Sequence, residues 1–162
     1  MKKLYIIRHA KSDWSLGQKD IDRTLNKRGE RQSVELGGYF ASKNISPDLI
    51  ISSIAKRTQI TAKNIAKQID YPLDEIKLEP SIYEAHYELL LQAIWGVSND
   101  VDSVFFVGHN PGVSDLAYFL TGKYLDFKTS CVAVVEFQNI QKWEEIESYA
   151  GLLVDFITPD RF

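Results

Sequence analysis

His9 and His109 are the residues in this 162-residue chain best placed to do chemistry. Each follows a short apolar run, Leu4-Tyr5-Ile6-Ile7 before Arg8-His9 and Val104-Phe105-Phe106-Val107 before Gly108-His109. Runs of this length and β-branched content read as buried strands. Open α/β sheets hold ligands beyond the carboxyl ends of their strands. Either imidazole alone would as readily satisfy a local hydrogen bond; two at two strand ends make a functional pair. Arg8 next to His9 needs an anion, since a guanidinium is costly to bury unpaired. Arg57 falls in the first turn of a helix expected to open at Ser52-Ser53. The macrodipole disfavours a cation there, so Arg57 should point at something negative. The helix N-termini after Ser52-Ser53 and Asn110-Pro111 themselves favour anions. These features together describe a pocket for a phosphoryl group.

Alternating strands and helices must hold that pocket. A polar loop runs from about Ala10 to Leu25 and leads to a helix capped by Asn26. Gly29, Ser33, Leu36, Gly37 and Phe40 recur at spacings of three and four and form its inner face. Leu49-Ile50-Ile51 reads as a second strand. The helix after Ser52-Ser53 carries a stripe of Thr58, Ala62, Ile65, Ala66 and Ile69. A further helix spans roughly Tyr87 to Val97, with Leu90, Leu91 and Ile94 on one face. Beyond the Val104–Val107 strand, Asn110 is predicted to cap a helix with Pro111 at its first position and Val113, Leu116, Ala117 and Leu120 inward. Cys131 to Phe137 and Tyr149 to Ile157 complete the strands. Helices between buried strands argue for an α/β sheet covered on both faces. No repeat or Pro/Gly-rich linker interrupts residues 1–162, so a single domain is expected.

Composition bounds the function. The length lets about 69% of the unfolded surface be buried, enough for a core without a disulfide or metal staple. With 44% hydrophobic and 25% charged residues, disordered, collagen-like and long coiled-coil chains are excluded. Nineteen Lys and Arg against 22 Asp and Glu give a net charge of −3, which speaks against a nucleic-acid partner. Residues 1–31 nevertheless hold nine basic and four acidic residues, a local +5 that suggests an anion site or chance surface charge. The single cysteine, Cys131, sits in an apolar run and reads as a core residue rather than a nucleophile. No apolar stretch approaches a signal-peptide core or a membrane span, so a cytoplasmic location and no membrane partner are the expectations. The run Trp143-Glu144-Glu145-Ile146-Glu147 reads as a solvated face, and His86 as an exposed loop residue.

Five segments together resemble the histidine phosphatase superfamily, the phosphoglycerate mutase-like fold, and within it the short SixA-type phosphohistidine phosphatases. They are Ile6-Ile7-Arg8-His9-Ala10-Lys11-Ser12, Asp22-Arg23-Thr24-Leu25-Asn26-Lys27-Arg28-Gly29, Ser52-Ser53 with Arg57 and Thr61-Ala62, Ile82-Tyr83-Glu84-Ala85, and Val107-Gly108-His109-Asn110-Pro111-Gly112. The resemblance implies a three-layer α/β/α sandwich with a mostly parallel central sheet and chemistry that needs no metal or other cofactor. His9 matches the nucleophile that is transiently phosphorylated. Arg8, Arg57 and His109 match the residues completing the phosphate pocket. Glu84 falls where many members keep the acid for the leaving group; the alternative is an ordinary acid near a helix start. Arg23 matches an Arg used at the phosphate or at the substrate edge. Lys11, Ser12 and Asn110 join it as candidate substrate-binding residues, and Trp14 either shapes substrate choice or anchors the loop. Ala10 stands where the family usually has Gly.

The implied partner is a phosphorylated small molecule or a phosphohistidine-bearing protein. Three other functions stay open on the residues alone: a phosphate-binding module without turnover, a phosphoglycerate mutase-type phosphotransferase, and a hydrolase whose metal is held by His9, His109 and acidic residues. Arg8 and Arg57 oppose the last, because cations disfavour a divalent ion beside them.

Overall fold

In the computed structural model, which describes all residues from Met1 to Phe162, six strands form one sheet: β1 (Lys2–Arg8), β2 (Leu49–Ser52), β3 (Lys77–Leu78), β4 (Ser103–Gly108), β5 (Val132–Phe137) and β6 (Leu152–Ile157). Their order is β3-β2-β4-β1-β5-β6. The β1–β4, β2–β4 and β2–β3 pairs are parallel, and the β1–β5 and β5–β6 pairs antiparallel. Only β5 therefore runs against the rest, and the sheet is mostly parallel as expected.

Side-chain parity builds the layers, because successive residues of a strand face opposite sides. Leu4 and Ile6 of β1, Val104 and Phe106 of β4, and Ala133 and Val135 of β5 share one core. Helices α3 (Tyr87–Trp95) and α4 (Gly112–Thr121) cover it with Leu90, Ile94, Val113 and Leu116. Tyr5, Ile7, Phe105, Val107 and Val134 face the other way, against α1 (Lys27–Ser42) and α2 (Lys56–Gln68) through Leu36, Phe40, Ala62 and Ile65. The result is the three-layer α/β/α sandwich. Asn26 caps α1 as expected, its side chain accepting from Gly29 N. Cys131 is buried in the first core.

Four expectations are corrected. Helix α2 starts at Lys56 with Ala55 as N-cap rather than at Ser52-Ser53. Ser52 completes β2, and Ser53 N donates to Val107 O, so the sheet claims both residues. Helix α4 starts at Gly112 with Pro111 at the N-cap position. Asn110 does not cap it, because its side chain reaches Ser114 Oγ (2.5 Å) and Phe127 O (3.0 Å) instead of a backbone N–H. Residues 143–147 are not wholly a solvated face: Trp143 and Ile146 are buried in the core while the three glutamates stay outside. Strand β3, two residues long, gives no signal in the sequence.

The basic N-terminal segment divides between the two ends of the sheet. Lys2 is buried at the far end, where its ammonium donates to Asn99 O, Val101 O and Asp102 Oδ1. At the other end Gly29 brings α1 against the loop after β1. A Cβ at Gly29 would lie 2.1 Å from Lys11 O, the oxygen that accepts from Asn26 N. Gly29→Ala should therefore destabilise the fold by about 1–3 kcal/mol, as overpacking against backbone does. Thermal unfolding should record a drop of about 2–4 °C per kcal/mol; an unchanged midpoint would mean that the contact relaxes freely.

Candidate active site

Strand register sets the two histidines side by side. Arg8 of β1 is opposite Gly108 of β4, so the next residue of each strand is His9 or His109. The chain leaves β1 toward the α1 face and leaves β4 toward the α4 face, which opens a crevice between the two strand ends. The imidazole centroids lie 5.4 Å apart.

His9 Nδ1 is 2.7 Å from Ala10 O. A carbonyl can only accept, so Nδ1 carries the proton and Nε2 keeps its lone pair. The His9 backbone is fixed by its N–H to Gly108 O and by Ser130 N, which donates to its carbonyl. Burial, opposed by the Ala10 hydrogen bond and aided by His109, Arg57 and Arg8, lowers the pKa of His9 to about 3. His109 is lowered to about 4, chiefly by burial and then by Arg57. His109 Nδ1 lies 3.3 Å from Arg57 Nη2 and its Nε2 lies 2.8 Å from Ser53 Oγ. Since a guanidinium only donates, neutral His109 accepts at Nδ1 and donates from Nε2.

Arg57, at the second position of α2 and only 2% exposed, is the centre of the cluster. Nη1 donates to Asp20 O (2.7 Å); Nη2 donates to Asp20 Oδ2 (3.1 Å) and Glu84 Oε1 (2.9 Å). The expected negative target is thus Asp20 and Glu84. Glu84 does not sit in the first turn of α3; it precedes it with φ +52°, a conformation that costs a non-glycine residue about 1–2 kcal/mol and here aims the carboxylate at Arg57. Arg23 is buried. It donates to Asp20 Oδ1 from Nε (3.2 Å) and Nη2 (3.0 Å) and to Ser12 Oγ from Nη1 (2.5 Å). The Trp14 ring lies on its guanidinium at 3.4 Å. Trp14 is 72% exposed, so it anchors Arg23 and also stands at the mouth. Arg8, at the end of β1, makes one hydrogen bond, from Nη1 to Phe127 O, and burial lowers its pKa.

A cavity of about 280 Å³ is lined by Arg8, His9, Arg57, Glu84 and His109, with Lys11, Ser12, Arg23 and Asn110 around them. Every sequence-predicted site residue therefore meets in one place. Ser12 and Asn110 do so with their side chains engaged by Arg23, Ser114 and Phe127. His86 is exposed and takes no part.

Asp20 is missed by the sequence reading, and Tyr83, Ser53 and Thr61, which stand in the resembling segments, are given no part in the site there. Asp20 joins Arg23, Arg57 and the Tyr83 hydroxyl, which is 2.5 Å from Oδ2. Partial burial raises the Asp20 pKa, but Tyr83 and the two arginines outweigh it and bring it down to about 2. Tyr83 is pushed up to about 12, by burial and then by Asp20, and remains a donor. The three-residue spacing of Asp20 and Arg23 was a usable ion-pair signal. Thr61 Oγ1 accepts from Ala10 N, and its spacing on α2 alone gives no hint of that.

Residues 4–92 match the family model described as histidine phosphatase superfamily, branch 1. An uncharacterised chloroplastic protein of Arabidopsis thaliana is 32% identical over 160 residues, covering 93% of this chain and 72% of that one. The protein histidine phosphatase SixA bound to tungstate is 20% identical with a TM-score of 0.84, over 98% of each chain. A candidate phosphohistidine phosphatase SixA of Agrobacterium tumefaciens is 28% identical with a TM-score of 0.80, again over 98% of each.

The buried neutral imidazoles make stability depend on pH with a defined sign. Unfolded histidine titrates near 6.5. Below that value the unfolded chain binds protons that folded His9 and His109 refuse, so acid lowers stability; above it they contribute no slope. Urea unfolding should lose up to about 1.4 kcal/mol per pH unit for each histidine between about pH 6.5 and the folded values of about 3 for His9 and about 4 for His109. His9→Asn should flatten that slope, and an equal slope in the variant would mean that His9 titrates normally.

Proposed function

The chain belongs to the histidine phosphatase superfamily, and we propose that it is a metal-independent phosphatase working through a phospho-His9 intermediate. The observation that carries this reading is His9 itself, a buried neutral imidazole whose Nδ1–H is committed to Ala10 O, leaving the Nε2 lone pair among arginines. Arg8 and Arg57 both line the cavity, and the Nη hydrogens of Arg8 not used on Phe127 O are available to phosphoryl oxygens.

In the first step His9 Nε2 forms a bond to phosphorus while the bond to the leaving group breaks. Arg8 and Arg57 carry the charge on the equatorial oxygens, the main electrostatic requirement of phosphoryl transfer. His109 closes the pocket wall and holds Arg57 through Nδ1. The leaving group takes a proton from Glu84, which acquires it from solvent when the phosphoryl oxygens replace its carboxylate on Arg57. Asp20, kept ionised by Tyr83 and the arginines, is unsuited to that role and instead orients Arg23 and Arg57. In the second step water attacks phosphorus, Glu84 takes its proton, the electron pair returns to Nε2, and inorganic phosphate leaves. The resemblance to SixA-type proteins favours a phosphohistidine or a small phosphomonoester as substrate.

Hydrolysis of an aryl phosphate should survive excess chelator and vanish in His9→Ala, with an acid-labile phosphoenzyme trapped in the wild type. Arg57→Ala should lower kcat about 10²–10³-fold. Loss of activity with chelator would install the metal reading, and phosphate binding without release of inorganic phosphate would install the binding-module or mutase readings.

Asp20→Asn removes the anion that opposes a phosphate dianion while freeing the two arginines it orients. Tungstate should bind the variant more tightly and kcat should fall, about tenfold each. Unchanged values for both would remove Asp20 from the machinery.

A further inference from the structure

A second cavity, of about 600 Å³, adjoins the phosphoryl pocket and shares Arg8, Lys11 and Thr129 with it. It lies between the start of α1, the loop before β5 and the segment after β6, which supply Arg28, Lys128 and Asp160 among its walls. Only two of its twelve lining residues are hydrophobic, so it suits a polar ligand. Four of them are cations, Arg8, Lys11, Arg28 and Lys128, against two carboxylates, Asp126 and Asp160. Within the lining, Asp126 lies 3.6 Å from Lys128 in a loose, exposed pair and Asp160 accepts from the Thr158 hydroxyl, which leaves Arg8, Lys11 and Arg28 as the unpaired cations. No ion pair of the chain involves Arg8, Lys11 or Arg28.

Arg8 joins the two spaces. Of its five N–H donors, one is used on Phe127 O, and Nε is buried with no acceptor. Arg8 lines both cavities, and its Nη hydrogens not used on Phe127 O are the donors it can offer there. Placing unpaired cations around a concave polar space raises the local concentration of anions. A lone phosphoryl group is matched by the smaller pocket, and the shared wall of Arg8, Lys11 and Thr129 puts the second cavity within reach of another part of the same molecule.

We propose that this cavity is a second anion subsite, and that the preferred substrates are small phosphomonoesters carrying a further phosphate or carboxylate held by Arg28 and Lys128. The proposal rests on the phosphatase reading of the first pocket and names its substrate class. Arg8 would sit between the two anionic groups, and Arg28 and Lys128 would determine specificity without touching the reacting phosphorus.

The test compares a hexose bisphosphate with the matching hexose monophosphate. In the wild type kcat/KM should favour the bisphosphate at least tenfold, mainly through KM. Arg28→Glu, Lys128→Glu and the double variant should bring that ratio close to one. Calorimetric binding of the same two ligands to His9→Ala, with and without Arg28→Glu, should show the same preference and the same loss without needing turnover. Equal binding of both sugars, or a preference that survives charge reversal, overturns the subsite. A phosphohistidine peptide outcompeting both sugars, with no effect of Arg28→Glu, would overturn it in favour of a protein substrate. Failure of the aryl phosphate assay alone would overturn the hydrolytic reading, while the calorimetry would still decide the second cavity.

Discussion

A buried guanidinium constrains everything around it. Arg57 is almost fully shielded from water, and its charge would be prohibitively costly there without partners. The chain meets that demand from three separate places: Asp20 in the loop after β1, Glu84 before α3 and His109 at the end of β4. None of these is close to another in sequence. The ion-pair network therefore ties the loops together, and the same positive charge helps keep both imidazoles neutral. A cation that must be neutralised is what gathers the site, and a neutral His9 is what the gathering yields.

The scaffold contributes precision. Parallel pairing of β1 and β4 fixes the two histidines at one level, and the opposite departures of the chain to α1 and α4 leave the space above them open. The long loop after His9 has little regular structure, yet it is held closely. Asp13 N donates to Thr24 O, Asn26 N donates to Lys11 O, and Ser12 bridges to Leu25. Gly29 lets α1 press against it. Arg23 thus reaches the pocket as a buried, triply held residue rather than a mobile surface cation. Such preorganisation is the condition for donors to act on developing charge without first paying to rearrange.

The overall acidity of the chain and the basicity of this one end are compatible because the cations are sorted. Lys2 is drawn into the far end of the sheet by two carbonyls, Asp102 and the Trp143 ring. Arg8, Lys11, Arg23, Arg28 and Arg57 collect around the strand carboxyl ends. Only Arg23 and Arg57 have carboxylate partners; the others present charge to whatever enters.

Much of this was legible in the sequence. Apolar runs of four residues, stripes at helical spacing and Asn26 before a helix depend on local periodicity and capping, so they specify the layers directly. His9, Arg8, Arg57 and His109 stood out because their positions at element ends conflict with their chemistry unless an anion is near. Where two local signals competed, the sequence alone misjudged the outcome. Ser52-Ser53 looked like a helix start, but pairing with β4 drew both residues into the sheet. Asn110 looked like a cap, but Ser114 and Phe127 offered its amide better partners. Trp143 looked solvated among glutamates, although Lys2 and the core claimed it. The meeting of Asp20 with Arg57 and Tyr83, and the second cavity, could emerge only in three dimensions. Each depends on segments distant in the chain meeting at one charge, and no local pattern encodes which distant charge a side chain will find.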